Sequence, residues 1–198
     1  FSGPAGSART ALGIPVDKFV FLHYGTGSRR KGLHLAVEAM ETLTTHTKLF
    51  LLCAGAGNYD RKLLQRIAAL ENKGSSKLLN RYVSDDEERL CFCAADVVLL
   101  PYIRHYGSSG VLSRAAAAGK MVIASDEGIL AKRVHDHHLG LLFHRQNKNE
   151  LKERMHVASL LKLAELEHFR KMSLKYAEAC SRDAFHAALL LTWRCLLT

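Results

Sequence analysis

Short apolar runs alternate with amphipathic stretches along nearly the whole chain. Lys18 to Tyr24 is a mostly apolar run between Pro15 and Gly25. Continuous rather than alternating apolarity predicts a strand covered on both faces. Leu33, Ala36, Val37 and Met40 then recur at helical spacing, which predicts an amphipathic helix from Gly32 to about Thr45. Lys48 to Ala54 reads as a second buried strand ending in Gly55-Ala56-Gly57, and a helix follows from Asp60 to Glu71. Lys77 to Val83 is a weaker strand. Ser84, with Asp85, Asp86 and Glu87 behind it, has the form of a capping box opening a helix that runs to Ala94.

The same alternation continues. Asp96 to Pro101 predicts a strand, and Met121 to Ala124 another, with a Gly-Ser loop and an Ala-rich helix between them. Gly128 to His137 reads as a helix, Gly140 to Phe143 as a last short strand, and Glu150 onward as mostly helical. Strands regularly separated by helices predict an α/β class: a Rossmann-like, doubly wound parallel sheet of about six strands, helices on both faces and a helical C-terminal tail. The expected divisions are an N-terminal segment or linker over 1–16, a Rossmann-like domain over 17–160, and C-terminal helices over 161–198.

In such sheets ligands sit outside the carboxyl ends of the strands. One junction on that rim stands out: His105-Tyr106-Gly107-Ser108-Ser109-Gly110-Val111, leading into the Ala-rich helix. A Gly-Ser helix start leaves backbone N–H groups free, with the positive end of the helix dipole behind them, which suits a phosphate. A plainly capped helix start in an ordinary α/β domain has the same sequence. No GxGxxG follows the first strand, so a dinucleotide fingerprint is absent.

Composition narrows the classes. The chain has 198 residues, 48% hydrophobic and 24% charged, which is a globular balance. Its net charge of +9 is scattered, with Arg29, Arg30 and Lys31 as the only tight trio. No basic stripe is interleaved with aromatics, so no nucleic-acid partner is expected. No run is apolar enough for a transmembrane segment. The chain opens Phe1-Ser2-Gly3-Pro4 without Met or signal peptide and reads as an excised or processed piece. The five cysteines, Cys53, Cys91, Cys93, Cys180 and Cys195, form no CxxC pair, which fits buried free thiols in a reducing cytoplasm. His135-Asp136-His137-His138 reads as a solvated turn rather than a metal site, and no metal is expected.

The segments FVFLHYGTGSRRKGLHLAVEAM, LFLLCAGAG, RYVSDDEERLCFCAADVVLLPY, SSGVLSRAAAAGKMVIASDEGI and HHLGLLF follow one another in a familiar order. Together they resemble the C-terminal domain of the group 1 retaining glycosyltransferases of GT-B architecture, over roughly residues 17 to 160. The resemblance implies a donor-binding half whose substrate is a nucleotide-diphosphate sugar, with no cofactor. It implies a partner domain, N-terminal and acceptor-binding, that this chain lacks. Lys31 matches the family lysine that contacts the donor diphosphate, with Arg30 as a neighbouring charge. Ser109, Gly110 and Val111 match the helix start that accepts the diphosphate. Tyr82 and Val83 lie where the base packs, and His105, Ser108 and Arg114 are candidates for contacts to sugar or ribose.

Several positions depart from the family pattern. Its two glutamates around this helix fall on Tyr106 and Arg114, and an Arg cannot accept hydrogen bonds from ribose hydroxyls. Thr26 stands where an Arg usually follows the first-strand Gly, and Met121 replaces a Pro. The residues also have plainer readings: Lys31 as a solvated helix-start charge, Arg114 paired with a carboxylate such as Asp126, His105 as a loop residue. Three functional classes stay open. They are an active glycosyltransferase donor half with a variant sugar site, inactive when isolated; a degenerate half acting as a nucleotide-binding or interaction module; and another phosphate-binding Rossmann-like enzyme of epimerase type. The stripe Leu160, Leu161, Leu163, Leu166, Phe169 and Met172 predicts packing on this domain's own sheet. Phe185, Leu189, Leu190 and Trp193 match the family helix that crosses to the other half, and can equally pack here.

Overall fold

The computed structural model describes residues 3–43 and 48–196. Thr44 to Thr47, including the expected end of the second-strand approach helix at Thr45, lie outside the described residues. Six strands form one sheet: β1 (Phe19–Tyr24), β2 (Leu49–Ala54), β3 (Ser76–Leu79), β4 (Val97–Leu100), β5 (Met121–Ser125) and β6 (Gly140–Phe143). Their order is β3-β2-β1-β4-β5-β6, and every pairing is parallel. β1 pairs with β2 from Phe19↔Leu49 to Tyr24↔Ala54, and with β4 from Phe21↔Val97 to His23↔Leu99. The chain reverses its direction of travel between β1 and β4, so the sheet's switch point lies at the carboxyl ends of these two strands.

The period of two decides which face each strand residue serves. Val20, Leu22, Val98 and Leu100 join one core with Phe92, Leu112 and Leu130. Phe21, Leu51, Val97 and Leu99 join the other with Met40, Ile67 and Met155. The first core is covered by α1 (Ala5–Ala11), α4 (Asp85–Ala94), α5 (Gly110–Ala117), α6 (Gly128–Asp136) and α8 (Leu163–Ala179). The second is covered by α2 (Leu33–Leu43), α3 (Arg61–Asn72) and α7 (Lys148–Leu160). A final helix, α9, spans Arg182–Leu196. Every residue of β2, β4 and β5 is buried, and each large side chain so buried contributes about 1.5–3 kcal/mol.

Helix starts follow their capping residues. Ser84 opens α4 as a full capping box with Glu87. Asp60 accepts from Leu63 N at 2.8 Å, and Asn147 from Glu150 N at 3.1 Å. Ser109 Oγ accepts from Leu112 N at 3.3 Å, which sets where α5 begins.

Two expectations need correction. Residues 1–16 are not merely a linker, because they contain α1, which packs on α4. Its Arg9 is buried: Nε donates to Ala94 O at 3.0 Å, Nη1 to Val16 O at 2.9 Å and Nη2 to Asp96 Oδ2 at 2.6 Å. Asp96 Oδ2 also accepts from Val20 N at 2.7 Å, so one carboxylate ties α1 to the starts of two central strands. The third strand ends at Leu79 rather than Val83, because Arg81, Tyr82 and Val83 turn away to present Ser84 as a cap. Part of the C-terminal helical segment packs on the domain itself. On α8, Tyr176 sits in the first core and Ser173 Oγ donates to Lys120 O at 3.0 Å.

The apolar stripe behaves unevenly. Leu161, Leu166 and Phe169 pack against the second core, while Leu160 and Leu163 are exposed. On α9, Phe185, Leu189, Leu190 and Trp193 are all exposed rather than packed on the sheet. Cys53, Cys91 and Cys93 are buried free thiols, burial pushing the Cys91 thiol up to about 12, whereas Cys180 is exposed. The side chain of Cys195 lies outside the described residues. Among the described residues no helix is long and apolar enough to cross a membrane, and no His, Cys, Asp and Glu cluster could hold a metal ion. His135 bonds Asp136 at 3.1 Å, and the His137 ring meets the Tyr176 ring at a tilt, with centroids 4.8 Å apart.

Candidate active site

The loops after β1 and β2 lie side by side next to the switch point, and glycines let them. A Cβ on Gly55, at φ 134°, would stand 2.2 Å from Gly25 O, and one on Gly57 would stand 2.2 Å from Gly27 Cα. Gly32 is the tightest of these contacts, with φ 73° and a virtual Cβ 1.8 Å from Pro101 O. Only glycine fits a left-handed backbone pressed on a neighbouring carbonyl. Gly32 therefore pins the 3-10 turn Arg29–Lys31 onto the end of β4. Ile103 N donates to Arg30 O at 2.8 Å across the same seam.

His23, near the end of β1, supports this turn from beneath. Its Nε2 lies 2.9 Å from Lys31 O, so Nε2 carries the proton and donates. Burial lowers the His23 pKa to about 4, and the ring is neutral at pH 7. A strand histidine gives no hint of this role in the sequence. Its partner, a backbone carbonyl, carries no residue-specific signal.

Lys31 is half-buried, and burial followed by the charge of Arg30 lowers its pKa. Its Nζ sits 3.9 Å from the centroid of the Tyr102 ring, a cation–π contact. Tyr102 is buried, and its hydroxyl meets Ser109 Oγ at 3.3 Å. One tyrosine thus joins Lys31 to the N-cap of α5. The His105 ring packs edge-on to the same Tyr102, with centroids 4.8 Å apart, and its Nε2 lies 3.3 Å from Ser108 O. Partial burial, then the charge of Lys31, lowers the His105 pKa. The structure brings Lys31, His105, Ser108 and Ser109 together, with the Gly110 and Val111 amides as the free first-turn donors of α5. Tyr102 was missed from sequence, where it reads as the residue after Pro101 at a strand end.

Toward α4 the first turns of α5 are wired differently, although Arg114 Nη1 also reaches back over Gly110. Arg114 does not pair with Asp126: its Nε donates to Glu88 Oε1 at 2.7 Å. Tyr24 OH donates to Glu88 Oε2 at 2.6 Å, so both oxygens of this mostly buried carboxylate are engaged. Asp126 instead accepts from Arg145 N at 2.9 Å. Glu88 was missed because its run, Asp85 to Glu88, reads as helix-start charge. Tyr82 is exposed, whereas Val83 is buried in the first core beside Phe92 and presents no side chain to a ligand. Arg81 pairs with Glu87 at 2.5 Å. Tyr106 is 63% exposed, and its carbonyl accepts from Ile129 N at 3.3 Å.

Beneath the 104–106 loop lies Glu127, whose Oε1 accepts from Arg145 Nη1 at 2.5 Å while Oε2 has no hydrogen-bond partner. Burial pushes its pKa up, but Arg145 and the Arg104 and His105 amides outweigh that and hold it below the usual range. Next to Lys31, a cavity of about 430 Å³ is lined by Arg29, Arg30, His34, Leu35, Ile103, Arg104 and Gln146. Arg30 thus faces this cavity, whose lining includes none of Lys31, Tyr102 or Ser109.

The family model described as glycosyl transferases group 1 matches residues 6–176. No curated protein matches the chain significantly in sequence. Among solved structures, the chain is similar to WaaG, a glycosyltransferase involved in lipopolysaccharide biosynthesis, with 20% identity and a TM-score of 0.75 over 90% of this chain and 48% of that one. It is similar to HepE of Anabaena in complex with UDP, with 19% identity and a TM-score of 0.77 over 98% of this chain and 54% of that one. It is also similar to the C-terminal domain of LpcC, a glycosyl transferase group 1 family protein of Francisella tularensis, with 16% identity and a TM-score of 0.71 over 89% of this chain and 91% of that one. The chain spans about half the length of the WaaG and HepE chains it matches. With the matching segments in order around a six-stranded parallel sheet, this chain belongs to the glycosyl transferases group 1 family.

Proposed function

We propose that this chain binds a nucleotide-diphosphate sugar and forms the donor half of a glycosyltransferase. The observation that carries the reading is the line from Lys31 through Tyr102 to Ser109 at the switch point of the sheet. A diphosphate placed there meets one ammonium and the Gly110 and Val111 amides. When the bond between the sugar's anomeric carbon and the phosphate oxygen breaks, negative charge grows on the departing diphosphate. Fixed donors aimed at that charge lower the barrier. The likeness to HepE, solved with UDP, and to an isolated C-terminal domain supports the donor assignment. The acceptor comes from a second, N-terminal domain, and this chain alone turns over nothing. The buried thiols Cys53, Cys91 and Cys93 suit a reducing cytoplasm.

Calorimetric titration with UDP-, GDP-, ADP- and dTDP-linked sugars tests the reading. One of them binds, and Lys31→Ala and high salt each weaken it about tenfold or more, a loss of about 1.4 kcal/mol. A second reading has its own observation. Arg114, locked onto Glu88, cannot accept from a ribose, which favours a degenerate half that acts as an interaction module. No binding of any nucleotide sugar would select that reading.

A further inference from the structure

The cavity beside Lys31 gathers three arginines in one lining. Arg29, Arg30 and Arg104 line it, and none of their guanidiniums makes a hydrogen bond or ion pair among the described residues. Several arginines elsewhere are matched: Arg9 with Asp96, Arg66 with Glu41, Arg81 with Glu87, Arg114 with Glu88, Arg145 with Glu127. No described carboxylate lines the cavity. Clustered like charges repel, and with no carboxylate in the lining these three stand open to an anionic ligand.

The backbone shares in the arrangement. Arg104, at φ 52°, and Gln146, at φ 61°, are left-handed without being glycine, and both line this cavity. Such conformations persist where the surrounding structure over-determines them, and they concentrate at ligand sites. The remaining lining is chemically mixed. His34 is half-buried, and burial followed by Arg29 lowers its pKa, which leaves it a neutral hydrogen-bonding group. Leu35 and Ile103 give an apolar wall. A volume of about 430 Å³ accommodates a monosaccharide rather than a bare ion.

We infer that this cavity is a second ligand site, which takes a sugar carrying an anionic group, a carboxylate or a phosphate. The guanidiniums hold the anion in their planar forks, the aliphatic wall faces the sugar's C–H surface, and His34 and Gln146 meet hydroxyls. The binding itself stands on the cavity alone. Its place in catalysis rests on the donor reading, since Arg30 directly precedes Lys31 in the turn. The anionic sugar is then either the one being transferred or the one receiving it.

The test is calorimetric titration of the 198-residue chain with glucose 6-phosphate, glucuronate, glucose and inorganic phosphate. The two anionic sugars bind at least tenfold tighter than glucose, and glucose 6-phosphate tighter than inorganic phosphate. Arg104→Gly, which suits the left-handed backbone, and Arg29→Gln each weaken them about tenfold while leaving the thermal midpoint in place. UDP-glucuronate against UDP-glucose separates the two sources. A preference for the uronate that Arg104→Gly abolishes assigns the anion to the donor. Equal binding of both, with glucose 6-phosphate still bound beside UDP, assigns it to the acceptor. Anionic sugars that bind no better than glucose, or binding indifferent to both variants, would overturn the inference. If no nucleotide binds while glucose 6-phosphate still depends on Arg104, the donor reading fails and the cavity stands.

Discussion

The two sides of α5 obey different rules. On the side facing Lys31, the groups that could receive a diphosphate are backbone amides, an N-cap and a buried tyrosine, all fixed by glycines and strand ends. On the side facing α4, the equivalent place is filled by a side-chain network, Arg114–Glu88–Tyr24, that has already satisfied itself. The first side keeps its donors free. The second has closed its acceptors. On the proposed donor reading, a phosphate site built from backbone depends little on side-chain identity, whereas a ribose contact rests on an acidic residue.

The hardest way to break the first side is to remove Tyr102. Tyr102→Ala empties a buried aromatic site and should cost about 3–5 kcal/mol in denaturant unfolding. Tyr102→Phe keeps the ring under Lys31 and should cost only about 1 kcal/mol, the worth of one hydrogen bond. If both variants cost the same, Tyr102 is not the wall joining Lys31 to α5.

Acid should undo the support beneath Lys31 next. His23 has a folded pKa of about 4, below its ordinary 6.5. The unfolded chain therefore binds the proton first. Stability from this group is full above pH 6.5 and is lost as pH falls toward 4, by about 3 kcal/mol in all. His23→Gln, which can still donate to Lys31 O, should flatten the slope of stability against pH across that window. An unchanged slope would place the titration on other groups.

Smaller effects sharpen the contrast. Ser109→Ala removes the α5 cap and should cost about 1 kcal/mol. Arg114→Ala opens a pair that is partly exposed and should cost less, about 0–1 kcal/mol. The informative readout for Arg114→Ala is nucleotide affinity. The account expects a smaller loss than for Lys31→Ala, because Arg114 Nε is held on Glu88 while its Nη1 lies over Gly110. A large loss would put Arg114 back among the binding residues.

Much of the fold was legible because its strands are continuous apolar runs and its helix starts carry their own caps, as at Ser84 and Asp60. Lys31 and Ser109, which meet through Tyr102, were both singled out from sequence, Lys31 by its match to the family's Lys-Gly and Ser109 by the Ser-Gly junction. What escaped depends on contacts distant in sequence. Arg9 reaches Asp96 and Glu88 reaches Arg114 across long separations, and nothing near either residue announces its partner. Tyr102 and His23 looked like strand-end residues because their functions lie in what packs on them. The cavity of Arg29, Arg30 and Arg104 needed two distant segments to meet, and only the trio at 29–31 was visible beforehand.

The central claim is that the diphosphate, not the base or the sugar, anchors the ligand to the Lys31 side of α5. Titrating the chain with each of uridine, guanosine, adenosine and thymidine against its own diphosphate measures this directly. For the nucleotide it accepts, the diphosphate should bind at least tenfold tighter than the nucleoside, and Lys31→Ala should erase most of that gap. A nucleoside that binds as well as its diphosphate, or a gap untouched by Lys31→Ala, would contradict the account.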